Sequence, residues 1–188
     1  EGEYMKADEY DLFMKDPLDF QLRKLLPREM GVFELFAEQP SFSSYQGLPM
    51  RLMALCQDER FIKLAKAIYE ASKVMPVYGK ASEELNRRAM EKGFPFFRGG
   101  MAVAPFDVFA DSLRGTHGIV RDMFRQPDKI HEGMEYVLPR LVEGGIRMAD
   151  MTDCPVVQMP LHKGDDTFMS NKQFETFYWP TFKRMLLG

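Results

Sequence analysis

Apolar side chains recur every three to four residues along most of the chain, which is the period of an amphipathic α-helix. Pro17 follows Asp16 in a position that suits the first turn of a helix, and Pro27 is expected to end that helix. A second helix is predicted from about Asp58, and a shorter one from Ser82 to Lys92. The first half of the chain is therefore predicted to be helical.

The second half combines helical periods with two short apolar runs. Residues 96–103 and 155–161 are predicted to be buried strands. A helical sequence from about Asp107 to Arg125 follows the first run, and a long helix begins at Pro127, with Pro139 expected to kink it. Strands that alternate with helices favour parallel pairing, because the chain must cross over between them.

The last helix has a well-defined start. Ser170 and Gln173 have the spacing of a capping box, in which each side chain binds the backbone N–H group of the other residue. This helix and the one that begins at Pro127 have apolar residues at helical spacing, so each is predicted to pack into the core through one face. The predicted core positions are Ile130, Met134, Val137, Leu138 and Leu141 in the earlier helix, and Phe174, Phe177, Tyr178, Phe182, Met185 and Leu186 in the later one.

The pattern predicts an α/β fold, but with too few strands. Two parallel strands buried on both faces cannot form the core of a sheet on their own, so further strands are expected outside the chain. The start Glu1-Gly2-Glu3-Tyr4, which lacks an initiator Met, agrees with an excised piece. Residues 1–95 would be a helical N-terminal portion, and residues 96–188 would be βα units of one domain that is incomplete at its C-terminus.

Composition excludes several classes of function. The 188 residues carry 25 Lys and Arg against 28 Asp and Glu, a net charge of −3, without a basic run of the kind that binds nucleic acid or an anionic membrane. No apolar stretch approaches the roughly 18 residues that a membrane span needs. Cys56 and Cys154 are far apart and form no CxxC motif, which favours a reducing, cytoplasmic location.

Two polar turns are the predicted location of the chemistry. In parallel α/β folds the loops after neighbouring strands meet at the same edge of the sheet, where helix N-termini also point. Here these loops are Ala104–Asp107 and His162–Thr167. We expect both turns to border a single cleft.

The second turn is the richer in reactive groups. His162 could transfer a proton near neutral pH, and Lys163 could neutralise a substrate carboxylate. Asp165 and Asp166 could hold a cationic intermediate or orient a donor. Asp and Gly are also ordinary turn residues, so a purely structural role for this loop is the alternative.

Charged residues near the first strand are further candidates. Arg98 lies within an apolar run and needs a partner, either a ligand carboxylate or an acidic side chain. Asp111 and Arg114 are three residues apart, a spacing typical of a surface ion pair on a helix. Cys154 and His162 do not have the spacing of a zinc site, so no metal is predicted. No GxGxxG or Walker motif is present.

Three segments of the second half carry a family resemblance: Gly99–Gly115, Asp122–Lys129 and His162–Pro180. They comprise a Gly-rich strand followed by a helix, a helix that starts at Pro-Asp, and a polar strand-end turn before a Ser-capped helix. In order and approximate spacing, the chain from Phe96 onward resembles the uroporphyrinogen decarboxylase superfamily. It is most similar to the divergent members found with corrinoid methyltransferase systems in anaerobes.

The resemblance implies a helix-rich partial (β/α)8 TIM barrel with its active cleft at the C-terminal ends of the strands. It also implies a lyase that removes carboxylates from a porphyrinogen or related polycarboxylate without a cofactor. In such enzymes the pyrrole is protonated, an aspartate stabilises the cation, and carbon dioxide leaves. The residues assigned to this chemistry are His162, Asp165, Asp166 and Asp111 as catalytic groups, and Arg98, Lys163, Phe106 and Asp107 as substrate-binding groups.

The same superfamily suggests an alternative. True decarboxylases carry a tyrosine at the position of Asp111, and an Arg-Gln-Ala-Gly-Arg motif that this chain lacks. Zinc methyltransferases of the superfamily act on methylcobamides, with zinc ligands expected beyond Gly188 and a corrinoid protein as partner. A non-catalytic helical scaffold is the third hypothesis. In either enzyme the isolated chain is expected to be inactive, and its open sheet edge could mediate homodimerisation.

Overall fold

The structure, a computed structural model, describes residues 3–43, 46–94, 100–152 and 156–188. Arg98, a predicted substrate-binding residue, and Cys154 lie outside these ranges. Within them, no helix combines the length and the apolar character that crossing a lipid bilayer requires.

The chain forms two compact units. One unit consists of Glu1–Pro17 and Phe97–Gly188, and the other of Leu18–Phe96. The later boundary lies close to residue 95, where the sequence pattern changes from helices to strands. The first 17 residues, however, group with the second half of the chain.

The described part of the first half is helical. In chain order its elements are α1 (Tyr10–Lys15), α2 (Pro17–Phe20, continuing through a π-helical turn at Gln21–Leu25 into Leu26–Glu29), a 3-10 helix (Gly31–Glu38), α3 (Leu48–Leu55), α4 (Glu59–Ser72) and α5 (Val74–Glu91). Pro27 was expected to end α2, but the helix continues beyond it. The proline falls in the first turn after the π-helical turn, where a backbone N–H group is not needed.

The second half alternates two very short strands with helices. In chain order the elements are β1 (Gly100–Met101), α6 (Pro105–Asp107, continuing as a π-helical segment Val108–Leu113), α7 (Gly115–Arg125), α8 (Pro127–Thr152), β2 (Val157–Gln158) and α9 (Asn171–Gln173, a π-helical segment Phe174–Tyr178, then Trp179–Leu187). α8 continues without a break through Pro139.

The two strands are parallel neighbours, as the sequence predicted. Gly100 pairs with Val157, and Met101 pairs with Gln158. A Cβ atom on Gly100 would lie 2.8 Å from the backbone oxygen of Gly145 in α8. Only glycine therefore allows α8 to pack this closely against β1.

The predicted fold class is wrong. The described residues form no barrel, partial or complete; they are mostly helical, and their one ladder is two residues long on each strand. The predicted strands are cut short by prolines: Pro105 is the first residue of α6, and Pro160 has no N–H group to donate to a ladder. Residues 96–99 and 155, the first parts of the two apolar runs, lie outside the described residues.

The helical predictions for α8 and α9 are confirmed. Of the predicted core residues, Leu141 and Phe174 are only half-buried and Leu186 is exposed, whereas the others are buried: Ile130, Met134, Val137, Leu138, Phe177, Tyr178, Phe182 and Met185. Ser170 caps α9, and its side chain and that of Gln173 form the predicted capping box.

Candidate functional site

The two polar turns predicted to border one cleft lie next to each other. Asp107, in the first turn of α6, is fully buried. Its Oδ2 accepts a hydrogen bond from the backbone N–H of His162 at 3.0 Å, and its Oδ1 accepts one from the N–H of Lys163 at 3.2 Å. The hydroxyl of Tyr178 in α9 also donates to Oδ2, at 2.7 Å. Asp107, predicted to bind substrate, is occupied by these three donors and holds the second turn in place.

Burial dominates the electrostatics of Asp107. It raises the pKa of the carboxyl above the usual range, while the hydrogen bonds from Tyr178 and the two backbone N–H groups act in the opposite direction. Burial also raises the pKa of Tyr178, and the hydrogen bond to Asp107 adds to this effect. The Tyr178 hydroxyl therefore stays protonated and remains a donor.

His162 forms an Asp–His pair with Asp111. Its Nδ1 lies 2.7 Å from Oδ2 of Asp111, which is 51 residues earlier in the chain. The His162 side chain is 58% exposed and that of Asp111 is 28% exposed, so a ligand can reach the pair. A carboxylate next to Nδ1 favours the tautomer that carries its proton there, which leaves Nε2 available to transfer a proton.

A change in helix geometry separates Asp111 from Arg114. In the π-helical segment Val108–Leu113, the N–H of Arg114 bonds to the oxygen of Phe109, five residues earlier, at 2.7 Å. Residues three apart no longer share one face in this wider turn, so the surface ion pair expected from their spacing is not formed. Arg114 is buried instead and pairs with Asp122, with Nε 2.5 Å from Oδ2.

Lys163 adds a positive charge beside the Asp–His pair. Its Nζ donates to Oγ1 of Thr116 at 3.0 Å and lies 3.7 Å from Oδ1 of Asp111. The ring of Phe168 is 5.3 Å away on another side. Only 16% of the Lys163 side chain is exposed, so its neighbours hold the ammonium group in place. Thr116 belongs to this site, but nothing in the sequence pattern distinguished it.

The remaining candidates do not join this cluster. Asp165 accepts hydrogen bonds at Oδ1 from the hydroxyl and N–H of Thr167 and from the N–H of Phe168, which is the arrangement of a turn-forming residue. The Thr167 hydroxyl is the main cause of the lowered pKa of Asp165. Asp166 is exposed, and no described residue binds its carboxylate. Phe106 is fully buried and has no surface to offer a substrate.

Tyr178 is a site residue that the sequence assigned only to the core. A buried tyrosine hydroxyl needs a hydrogen-bond partner, and this requirement was a signal that it contacts a polar group. Gly164, in the second turn, packs directly on its ring. A Cβ atom on Gly164 would lie 2.8 Å from Cζ of Tyr178, so a larger residue would displace the turn or the ring.

Metal ligands do not cluster in the described part of the chain. No group of three or more His, Cys, Asp or Glu side chains there could hold a metal ion. The zinc and the corrinoid partner of the methyltransferase hypothesis stay predictions of the sequence.

Comparisons with known proteins provide no relative for this chain. No family model matches it, and neither a curated protein nor a solved structure is similar to it. The resemblance to the uroporphyrinogen decarboxylase superfamily therefore stays a prediction. The Asp111–His162–Lys163 cluster brings together an acid, an imidazole and an ammonium group within hydrogen-bonding or ion-pairing distance.

Proposed function

We propose that Asp111 and His162 are the acid–base pair of a decarboxylating lyase. The observation that supports this most directly is the 2.7 Å contact between Oδ2 of Asp111 and Nδ1 of His162, with the ammonium group of Lys163 next to it. The substrate class, a porphyrinogen or a related polycarboxylate, is taken from the sequence resemblance. We place the reaction in the cytoplasm and assign it no cofactor.

The proposed reaction takes up one proton and releases carbon dioxide. His162, as an imidazolium, donates the proton on Nε2 to a carbon of the electron-rich ring, next to the arm that bears the carboxylate. The bond between the arm and its carboxylate then breaks, and its electron pair neutralises the ring cation as carbon dioxide leaves. The methylene carbon left on the arm after carbon dioxide departs takes a proton from water. The pyrrole ring then returns the first proton to His162.

Asp111 and Lys163 stabilise opposite charges in the proposed reaction. Asp111 orients the His162 ring. It also stabilises the imidazolium and the protonated pyrrole ring of the substrate. Lys163 pairs with a carboxylate of the substrate, and its hydrogen bond to Thr116 positions the ammonium group. Because Asp111 lies 3.7 Å from this ammonium group, it opposes part of the attraction for carboxylates. The site is therefore better suited to proton transfer than to tight anion binding.

Carbon dioxide release is the direct test. We expect the natural full-length protein, whether that is this chain or a longer one, to release carbon dioxide from uroporphyrinogen under anaerobic conditions. Release is measured with a substrate labelled in its carboxyl groups. If a folded full-length protein releases none from either uroporphyrinogen or coproporphyrinogen, the proposed substrate class is wrong.

The tautomer of His162 is a second test, and it requires no turnover. We expect the neutral ring to carry its proton on Nδ1, because Asp111 accepts a hydrogen bond there. Asp111→Ala removes the acceptor, so the proton should move to Nε2. Long-range nitrogen–proton NMR correlations distinguish the two forms, with His117 and His131 as internal controls that should not change. An unchanged His162 spectrum would show that Asp111 does not orient the ring.

A further inference from the structure

A cavity of about 380 Å³ lies between the N-terminal segment and α7, and it shares no lining residue with the Asp111–His162–Lys163 cluster. Basic side chains outnumber acidic ones in its lining. The basic residues are Lys6, Arg114, Arg121 and Arg125, and the acidic residues are Glu3 and Asp122. The cavity thus has a local charge of +2 in a chain whose net charge is −3. This concentration of positive charge is not a consequence of the overall composition.

Arg114 contributes a buried guanidinium group to the cavity. Its Nε and Nη2 donate to the carboxylate of Asp122 at 2.5 and 3.2 Å, and its Nη1 donates to the backbone oxygen of Met5. These bonds use three of the five N–H donors of a guanidinium group. The guanidinium group also donates towards the hydroxyl of Tyr10. The group is therefore held in a fixed position in the wall of the cavity.

The rest of the positive charge comes from exposed side chains at the edge of the cavity. Arg121 and Arg125 are one turn apart on α7, so they approach the cavity from the same side. Glu3 lies 3.6 Å from Arg121, a long contact between side chains that are 37% and 63% exposed, and a bound anion could replace it. No described residue pairs with the side chains of Lys6 or Arg125.

The C-terminal end of α7 works against anion binding, but it is the weaker effect. The free carbonyl groups at a helix C-terminus carry about half a negative charge. Arg125 is the last residue of α7, so this partial charge lies next to the cavity. It is small compared with the charge of +2 on the lining, and the cavity remains attractive to a dianion.

We propose that this cavity binds the phosphoryl group of inorganic phosphate or of a small phosphate monoester. Guanidinium groups bind phosphate oxygens through pairs of parallel hydrogen bonds, and a phosphate dianion matches the charge of the lining. Arg121 and Arg125 bind the group from the edge, and the ion-paired guanidinium group of Arg114 forms part of the cavity wall. This site is independent of the proposed decarboxylase function.

A titration at constant ionic strength tests the proposal. The chain is titrated with inorganic phosphate and with glycerol phosphate, and binding is followed by the NMR shifts of the backbone amides of residues 3–7 and 114–126. We expect saturable shifts with both ligands. Arg121→Gln and Arg125→Gln should each weaken binding about tenfold, because each removes charge-assisted hydrogen bonds. Glu3→Gln should tighten binding, because it frees Arg121.

The exposed pair Glu143–Arg147 provides matched controls for net charge. Arg147 is 67% exposed against 63% for Arg121, and its Nη2 lies 2.6 Å from a carboxylate oxygen of Glu143. Arg147→Gln and Glu143→Gln should leave binding unchanged. Shifts that do not saturate, or equal effects from the control variants, would overturn the proposal. Tighter binding of glycerol phosphate identifies a phosphate monoester as the ligand, and tighter binding of phosphate identifies the free ion.

Discussion

Replacing His162 with glutamine is expected to slow carbon dioxide release by about 10²–10⁴-fold, the usual contribution of a positioned general acid–base group. Glutamine can keep a hydrogen bond to Asp111, but it cannot carry the proton that the ring carbon must receive. Because the His162 side chain is 58% exposed, the substitution should leave the unfolding midpoint nearly unchanged. The rate is measured under anaerobic conditions in the natural full-length protein.

His117 provides the control for this substitution, because it is exposed and lies outside the cluster. His117→Gln should retain the wild-type rate. Imidazole added to the His162→Gln variant should restore part of the activity, since a small base can enter the exposed position. A His162→Gln variant that keeps most of its activity would show that another group transfers the proton.

Replacing Asp122 with alanine is expected to lower the free energy of unfolding by about 3–5 kcal/mol, the range observed when one partner of a buried ion pair is removed. Arg114, whose side chain is 4% exposed, would lose the carboxylate that compensates its charge. Burial alone would lower the pKa of Arg114, and Asp122 outweighs that effect to keep the group charged. The hydroxyl of Tyr10 would also lose its acceptor, which is 2.8 Å away.

Urea unfolding measures this loss, and two comparisons identify its cause. Glu143→Ala, which breaks an exposed ion pair, should barely change the unfolding free energy. The double variant Arg114→Met with Asp122→Leu should recover much of the stability lost in Asp122→Ala, because no unpaired charge stays buried. If Asp122→Ala is no worse than Glu143→Ala, the buried pair does not stabilise the fold.

The same substitution should loosen the N-terminal segment first. The N–H of Met5 donates to the oxygen of Leu113 at 2.7 Å, and the oxygen of Met5 accepts from Arg114. Arg114 therefore connects this segment to the end of α6 and the start of α7. Amide exchange in residues 3–7 of Asp122→Ala should rise more than exchange in α9.

The helices of the second half were predictable because their hydrogen bonds and apolar periods are local. Ile130, Met134 and Leu138 recur every four residues, and all three are buried on one face of α8. The capping box at Ser170 involves residues three apart, so it too could be identified from the sequence. The length of the strands could not be predicted in the same way, because each strand pairs with a partner that is distant in the sequence. The apolar runs predicted longer strands, but Pro105 and Pro160 cannot donate an N–H group to a ladder and so keep it short.

The candidate site was predictable in part. The sequence indicated that the turns at Asp107 and His162 would share an edge, because parallel strands bring the following loops together. It did not indicate which charges would meet. The π-helical segment of α6 turns Asp111 away from Arg114, and this depends on a hydrogen-bond shift that residue spacing does not reveal. Tyr178 belongs to the site because α9 packs next to Asp107 and the Tyr178 hydroxyl donates to its carboxylate.

The amino-acid sequence by itself determined where helices form, which of their faces are apolar, and that the two short strands run in the same direction. These properties follow from interactions between residues a few positions apart and from the chain connections. Only the tertiary structure decided that His162 pairs with Asp111 and that Asp107 binds the backbone of the second turn. Those contacts join residues 51 and 55 positions apart. Their geometry depends on how buried polar groups find partners once the helices have packed.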